Sequence, residues 1–127
     1  MANAIVTTFP INGSRNFVAR IDIICDTAAE FSAADIIDVA NLTGLPSKFK
    51  IKGINWQFTD FYAKLMWDAT ADVQAVALNQ YEGDIDFFCT GAPLLNNAGA
   101  GVTGKLQITT KGVTATSAGT IIIYGYH

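Results

Sequence analysis

Apolar and polar residues alternate with a period of two along most of the chain, which predicts half-buried β-strands. The clearest run is residues 15–25, where alternate positions are apolar and Arg20 and Asp22 lie between them. Residues 61–67 repeat the pattern with two aromatic and two aliphatic residues on one face. The alternation predicts eight or nine strands, near residues 5–9, 15–25, 36–42, 48–58, 61–67, 73–78, 84–89, 105–110 and 120–126.

The strand predicted at residues 48–58 changes phase at Gly53. Before this glycine, Phe49 and Ile51 form the apolar face, and after it the apolar face continues with Ile54 and alternate residues. One extra residue in one strand of an antiparallel pair shifts the alternation in this way, and glycine in a strand often marks such a position. The sequence therefore predicts a β-bulge at Gly53.

Short turns separate these strands, at the spacing typical of all-β sandwiches and barrels. We predict an all-β fold, an antiparallel β-sandwich of the jelly-roll type, with at most one short helix. Residues 28–42 are the helical alternative, because Ser32 to Asp35 resembles a capping box. Residues 15–127 are expected to form a single β-sandwich domain, preceded by an N-terminal arm of residues 1–14 with a possible first strand.

The composition narrows the class of protein. The 127 residues are 50% hydrophobic and carry a net charge of -3, from 8 basic and 11 acidic side chains. A chain of this length buries about two-thirds of its unfolded surface, and its aromatic and β-branched content excludes intrinsic disorder. The acidic balance argues against a nucleic-acid partner. The first residues lack the features of a secretory signal and no stretch reads as a membrane span, so we expect synthesis in a cytoplasm and no membrane partner.

Two features have a cofactor or catalytic interpretation. Residues 99–104 match G-x-G-x-x-G, but a predicted strand follows them and no acidic residue does, so we interpret them as a loop. Asp84 and Asp86 share one strand face about 7 Å apart, which suits an inverting glycosidase or a hard cation. The opposite face is apolar, which favours a solvent-facing role. A hydrolase using these two carboxylates is kept as an alternative.

The remaining reactive side chains form no recognisable site. Cys25 and Cys89 end two apolar runs, and we interpret them as free buried thiols, with a disulfide as the alternative. The single histidine is His127, and no serine has the flanking residues of a nucleophile elbow. We therefore predict no enzymatic activity, no catalytic or metal-binding residue and no cofactor.

An ordered series of motifs runs through residues 53–127. A Trp-containing strand at 54–58 precedes a strand that ends in Trp67-Asp68-Ala69-Thr70-Ala71-Asp72. An acidic and aromatic strand at 83–88, a glycine-rich loop at 96–104, a Thr-Thr strand at 106–110 and a β-branched strand at 117–124 follow. This series resembles a group of small structural proteins encoded by tailed bacteriophages. The resemblance implies a virion component, with a head decoration (cement) protein as the leading hypothesis, and it supplies no catalytic residue.

The decoration hypothesis implies the major capsid protein as partner, together with self-association, for which we expect a trimer at a capsid symmetry axis. Apolar residues that strand alternation does not assign to the core occur in the N-terminal arm and in the loop at 92–104. A row of lysines in the strand at 48–58 is interpreted as protection of a sheet edge, and contact with an acidic partner surface is its alternative role, which makes the row the next candidate. The candidate partner-binding residues are Ile5, Phe9, Ile11, Leu94, Leu95, Lys48, Lys50 and Lys52.

The alternative function is a small carbohydrate-binding module of a phage tail or fibre. Such a module would use exposed aromatic rings as platforms, and Trp56 and Trp67 are the obvious candidates. Both tryptophans continue the apolar faces of their strands. We therefore predict that both lie in the core.

Overall fold

The alternating runs form strands in the computed structural model, which describes residues 3–44, 46–78, 81–87 and 93–127. Cys89 and Ala92 lie outside these ranges, so the interpretation of Cys89 stays a prediction. The described residues contain nine strands: β1 (Ala4–Asn12), β2 (Asn16–Ile24), β3 (Ala34–Ile37), β4 (Lys50–Phe58), β5 (Tyr62–Trp67), β6 (Val73–Leu78), β7 (Glu82–Asp86), β8 (Leu106–Lys111) and β9 (Ala118–Tyr126).

Two antiparallel sheets pack against each other, one with the strand order β1-β2-β9-β4-β7 and the other with the order β3-β8-β5-β6. The pairs are nested along the chain: β5 with β6, β4 with β7, β3 with β8 and β2 with β9. This topology is a jelly roll: one long hairpin is rolled up, and its successive strand pairs alternate between the two sheets. The predicted fold class is confirmed, and β1 extends one sheet beyond the eight nested strands.

The core lies between the sheets and follows the predicted alternation. Phe17, Phe49 and Trp67 form a chain of edge-to-face ring contacts, with centroids 5.4 and 5.3 Å apart. Trp67 is fully buried and Trp56 is 6% exposed, which confirms that both tryptophans are core residues. Gly83 leaves room for the Trp56 ring, because a Cβ atom at this glycine would overlap the indole.

The β-bulge predicted in β4 is confirmed. The pairing of β4 with β9 shifts register between Ile51 and Gly53, so Lys52 is the extra residue. Ile51 before the shift and Ile54 after it are both buried. The bulge therefore keeps both halves of the strand directed into one core.

The helical alternative at residues 28–42 is wrong. Ala34–Ile37 is a strand paired with β8, and Ile36 and Ile37 are buried between the sheets. The described part of this segment has only a three-residue 3₁₀ turn, Val39–Asn41, which the Asp38 side chain caps by accepting the Ala40 N–H. Pairing and burial of two β-branched residues outweigh the local capping-box signal. Within the described ranges no helix has the length and apolar character needed to span a membrane.

The first strand closes one side of the sandwich. Residues 4–12 of the segment expected as an arm form β1, which pairs with β2. Thr7 Oγ1 donates a hydrogen bond to the Ile36 carbonyl of the opposite sheet (2.6 Å), and Asn12 Nδ2 donates to the Asn41 carbonyl (2.8 Å). These bonds join the β1 edge to the segment that contains β3.

Candidate functional site

The outer face of the five-stranded sheet has an apolar surface on β1, β2 and β9. Of the seven large apolar side chains that are exposed in the described ranges, four lie here, among them Ile24 at 61% and Val6 at 57%. Half-buried Val18 and Ile122 lie between the exposed residues. We call this surface the outer patch, and its residues are Val6, Ile11, Val18, Ile24, Ile122 and Tyr124.

Strand register places these residues side by side. Ile11 lies directly opposite Val18, and Val18 lies opposite Tyr124, so the three side chains share one face. An exposed ion pair between Arg20 Nε and Asp22 Oδ2 (3.2 Å) lies on the same face. An apolar surface that includes an aromatic ring and an arginine has the composition of a protein interface. The outer patch is therefore the candidate contact surface.

The apolar candidates of the N-terminal segment divide between core and surface. Ile5 and Phe9 are half-buried and pack against the core, and the Phe9 ring contacts Phe17 edge to face at 6.3 Å. Ile11 is 56% exposed and belongs to the outer patch. A register shift in β1 between Thr8 and Ile11 separates the two environments. Only Ile11 of this group presents a freely exposed apolar side chain.

The two leucines of the loop divide in the same way. Leu94 exchanges two backbone hydrogen bonds with Ile51, of 2.8 and 3.0 Å, and its half-buried side chain packs against the core. Leu95 is 53% exposed. Leu94 thus anchors the loop to β4, and Leu95 remains available to a partner.

The lysine row lies at the start of β4. Lys48 and Lys50 are exposed, whereas Lys52 is half-buried at the bulge. Lys50 lies opposite Tyr126 of β9, and its Nζ atom is 5.4 Å from the centre of that ring. Lys50 therefore borders the outer patch through β9.

Asp84 and Asp86 alternate with core-facing Ile85 on β7, which is an edge strand. The predicted arrangement of a polar face opposite an apolar one is confirmed for these three residues. Within the described ranges, no three side chains of the types His, Cys, Asp and Glu lie close enough together to hold a metal ion.

The glycine-rich loop at residues 96–104 contacts the turn at residues 68–72, so two motifs of the series in residues 53–127 lie together. The Thr70 N–H donates to the Ala100 carbonyl (3.1 Å), and the Thr103 hydroxyl donates to Asp68 Oδ2 (2.7 Å). Gly101 has a φ of 79°, and a Cβ atom there would overlap Thr70. The loop therefore has a structural role, because its hydrogen bonds hold the turn in place. Sequence analysis did not detect this contact.

Asp60 and Cys25 lie close to each other around the start of β9. Ser117 Oγ donates to Asp60 Oδ1 (2.5 Å), and hydrogen bonds from Ser117, Thr59 and Thr114 hold the pKa of Asp60 below its ordinary value. Burial, with a smaller contribution from the Asp60 charge, raises the pKa of the free Cys25 thiol. The hydrogen bonds connect Asp60 to the start of β9, and the raised pKa keeps the Cys25 thiol protonated at neutral pH.

A groove of about 480 Å³ lies on the four-stranded sheet, on the other layer of the sandwich from the outer patch. We call it the Tyr62 groove, and the residues that define it are Tyr62, Lys64, Ala77, Leu78, Thr109 and Lys111. Register brings them together, since Tyr62 lies opposite Lys111 and Lys64 opposite both Thr109 and Ala77. Sequence analysis missed this groove because its residues come from three separate strands.

Comparison of the chain with protein-family models and with curated proteins finds no match.

Proposed function

We propose that this protein is a non-enzymatic structural component of a tailed-phage virion, a decoration protein that binds the assembled capsid through the outer patch. The exposed apolar side chains of the outer patch carry the proposal, because such surfaces on a small protein mark contact sites. The motif series in residues 53–127 resembles phage structural proteins and supports the same class. Jelly rolls occur in viral capsid proteins and in lectins, so the fold is compatible with it.

The outer patch suits a broad, flat partner surface. Its residues lie on three adjacent strands, with β2 paired to β9 over its whole length and to β1 on either side of the register shift. A standard interface buries roughly 800 Å² on each partner, which a face of three strands can supply. Lys50 at the border of the patch adds a positive charge that an acidic capsid surface would attract.

Catalysis is not part of the proposal. Of the two sequence features with a catalytic or cofactor interpretation, the glycine-rich loop contacts a turn, and Asp84 and Asp86 lie on the exposed face of an edge strand. On the capsid, self-association as a trimer would let several weak contacts act together and raise the avidity.

The test is binding of the purified protein to undecorated capsids, with occupancy measured by sedimentation and cryo-electron microscopy. Val6→Ser combined with Tyr124→Ser removes two exposed outer-patch residues, and we expect at least about tenfold weaker binding. Tyr81→Ser is the control, because Tyr81 is 61% exposed, lies outside the outer patch and is not among the candidate partner-binding residues. Wild-type occupancy by a folded double variant would contradict the outer patch as the contact. Density on tail fibres instead of the head would favour the carbohydrate-binding alternative.

A further inference from the structure

We propose that the Tyr62 groove binds an acidic glycan, with a sugar ring on Tyr62 and a carboxylate between Lys64 and Lys111. This inference goes beyond capsid binding and does not depend on it, because the groove and the outer patch lie on different sheets. The groove volume of about 480 Å³ is within the range of small-ligand sites.

The shape of the groove follows from small side chains beside a large one. Tyr62 is 53% exposed, and Ala77 on β6 is too short to fill the space beside it. Leu78, the next residue of β6, directs its side chain into the core, opposite buried Ala63. An exposed phenol ring beside a short apolar side chain can stack against the C–H face of a pyranose ring and leave the sugar hydroxyls in water.

The charges of the groove select an anion. Among the described residues, neither Lys64 nor Lys111 forms an ion pair. The two lysines lie on adjacent strands in diagonal positions, so their Cα atoms are about 7–8 Å apart. Thr109 Oγ1 accepts the Ala33 N–H (3.0 Å) and keeps its own proton to donate to a ligand oxygen. On a protein of net charge -3, this arrangement is a local site for a carboxylate.

The backbone of the sheet favours a glycan over a peptide. β5 lies between β8 and β6, so its backbone N–H and C=O groups are used by the two sheet ladders. A peptide lying across the middle of the groove would therefore find no backbone partner on β5, and only the outer edge of β6 is open to strand pairing. A sugar ring has no such requirement, because its polar groups are at its rim.

The experiment measures binding of the isolated protein to oligogalacturonate and to hyaluronate oligosaccharides by isothermal titration calorimetry. Methyl-esterified oligogalacturonate, which lacks the charge, and a poly-glutamate peptide are the comparison ligands. We expect binding of at least one acidic glycan that weakens with added salt, and no comparable binding of the ester or the peptide.

Two substitutions locate the site. Tyr62→Ala and Lys111→Gln should each raise Kd by about tenfold or more. Tyr81→Ala is the matched control because Tyr81 is 61% exposed and lies outside the groove, and Lys48→Gln is the control for charge. Thermal melts verify that each variant is folded.

Three results would overturn the inference. The first is that neither acidic glycan binds at millimolar concentration. The second is that the ester or the peptide binds as tightly as the acidic glycan, and the third is that folded Tyr62→Ala binds the glycan with unchanged affinity. Capsid occupancy of Tyr62→Ala should equal that of wild type. The two assays therefore test the two proposals separately: loss of glycan binding bears only on the Tyr62 groove, and loss of capsid occupancy bears only on the outer patch.

Discussion

Gly101→Ala should destabilise the protein through the contact between the glycine-rich loop and the turn at residues 68–72. A φ of 79° costs an alanine about 1–2 kcal/mol. The new methyl group would also overlap the Thr70 side chain and lie 2.9 Å from the Thr70 backbone nitrogen. We expect the free energy of unfolding to fall by about 2 kcal/mol or more, which lowers Tm by about 5–10 °C.

Gly99→Ala in the same loop is the matched control. No atom lies within 4 Å of a Cβ at this position, and its φ is outside the left-handed region. Alanine there reduces the entropy of the unfolded chain, so stability should stay the same or rise by up to about 1 kcal/mol. The two substitutions, identical in chemistry, are expected to have opposite or clearly unequal effects.

Thermal and urea unfolding followed by circular dichroism measure both variants. Adding Thr70→Ala to Gly101→Ala removes the side-chain overlap but leaves the backbone strain, so it should restore part of the lost stability. If Gly101→Ala melts within about 1 °C of wild type, the loop does not sit on the turn as described, and the reasoning is refuted.

Three further predictions concern Trp67 in the core, the hydrogen-bonded carboxylate of Asp60, and the buried thiol of Cys25. Trp67→Ala should cost about 3–5 kcal/mol, because the indole is fully buried, and an unchanged urea midpoint would show that it is not a core residue. The lowered pKa of Asp60 stabilises the fold above pH of about 3.9, and this contribution is lost as the pH falls through the lowered value. Ser117→Ala removes the main donor, so unfolding free energy should fall less steeply between pH 5 and 3 than in wild type, and parallel pH profiles would refute this. Burial and the raised pKa should protect Cys25 from a thiol reagent at neutral pH in a Cys89→Ser background, whereas rapid native labelling would contradict its burial.

Local pattern was sufficient for most of the strands and for the faces of those that alternate clearly. The alternation around Ile21, Leu65 and Ile123 marks core-facing positions that are all fully buried. The phase change at Gly53 predicted the bulge for the same reason, since a side chain's face depends only on its position within its own strand. The fold class follows from the number and spacing of such strands.

The predicted contact residues show where local pattern is insufficient. Ile5 and Phe9 read as exposed apolar residues of an arm, yet both pack on the core because β1 pairs with β2 and covers the sandwich edge. Leu94 is likewise drawn against the core by its bridge to Ile51. Neither contact leaves a signal in the residues near these positions.

Only the tertiary structure decided which strands are neighbours, and both candidate surfaces depend on that choice. The outer patch joins Val18 to Tyr124, and the Tyr62 groove joins Lys64 to Thr109, across long intervals of chain. The two-residue alternation shows which face of its strand a residue occupies, but it does not show which strand lies beside it. That pairing is set by the nested jelly-roll topology, in which burial of the whole core repays the entropy of closing long loops.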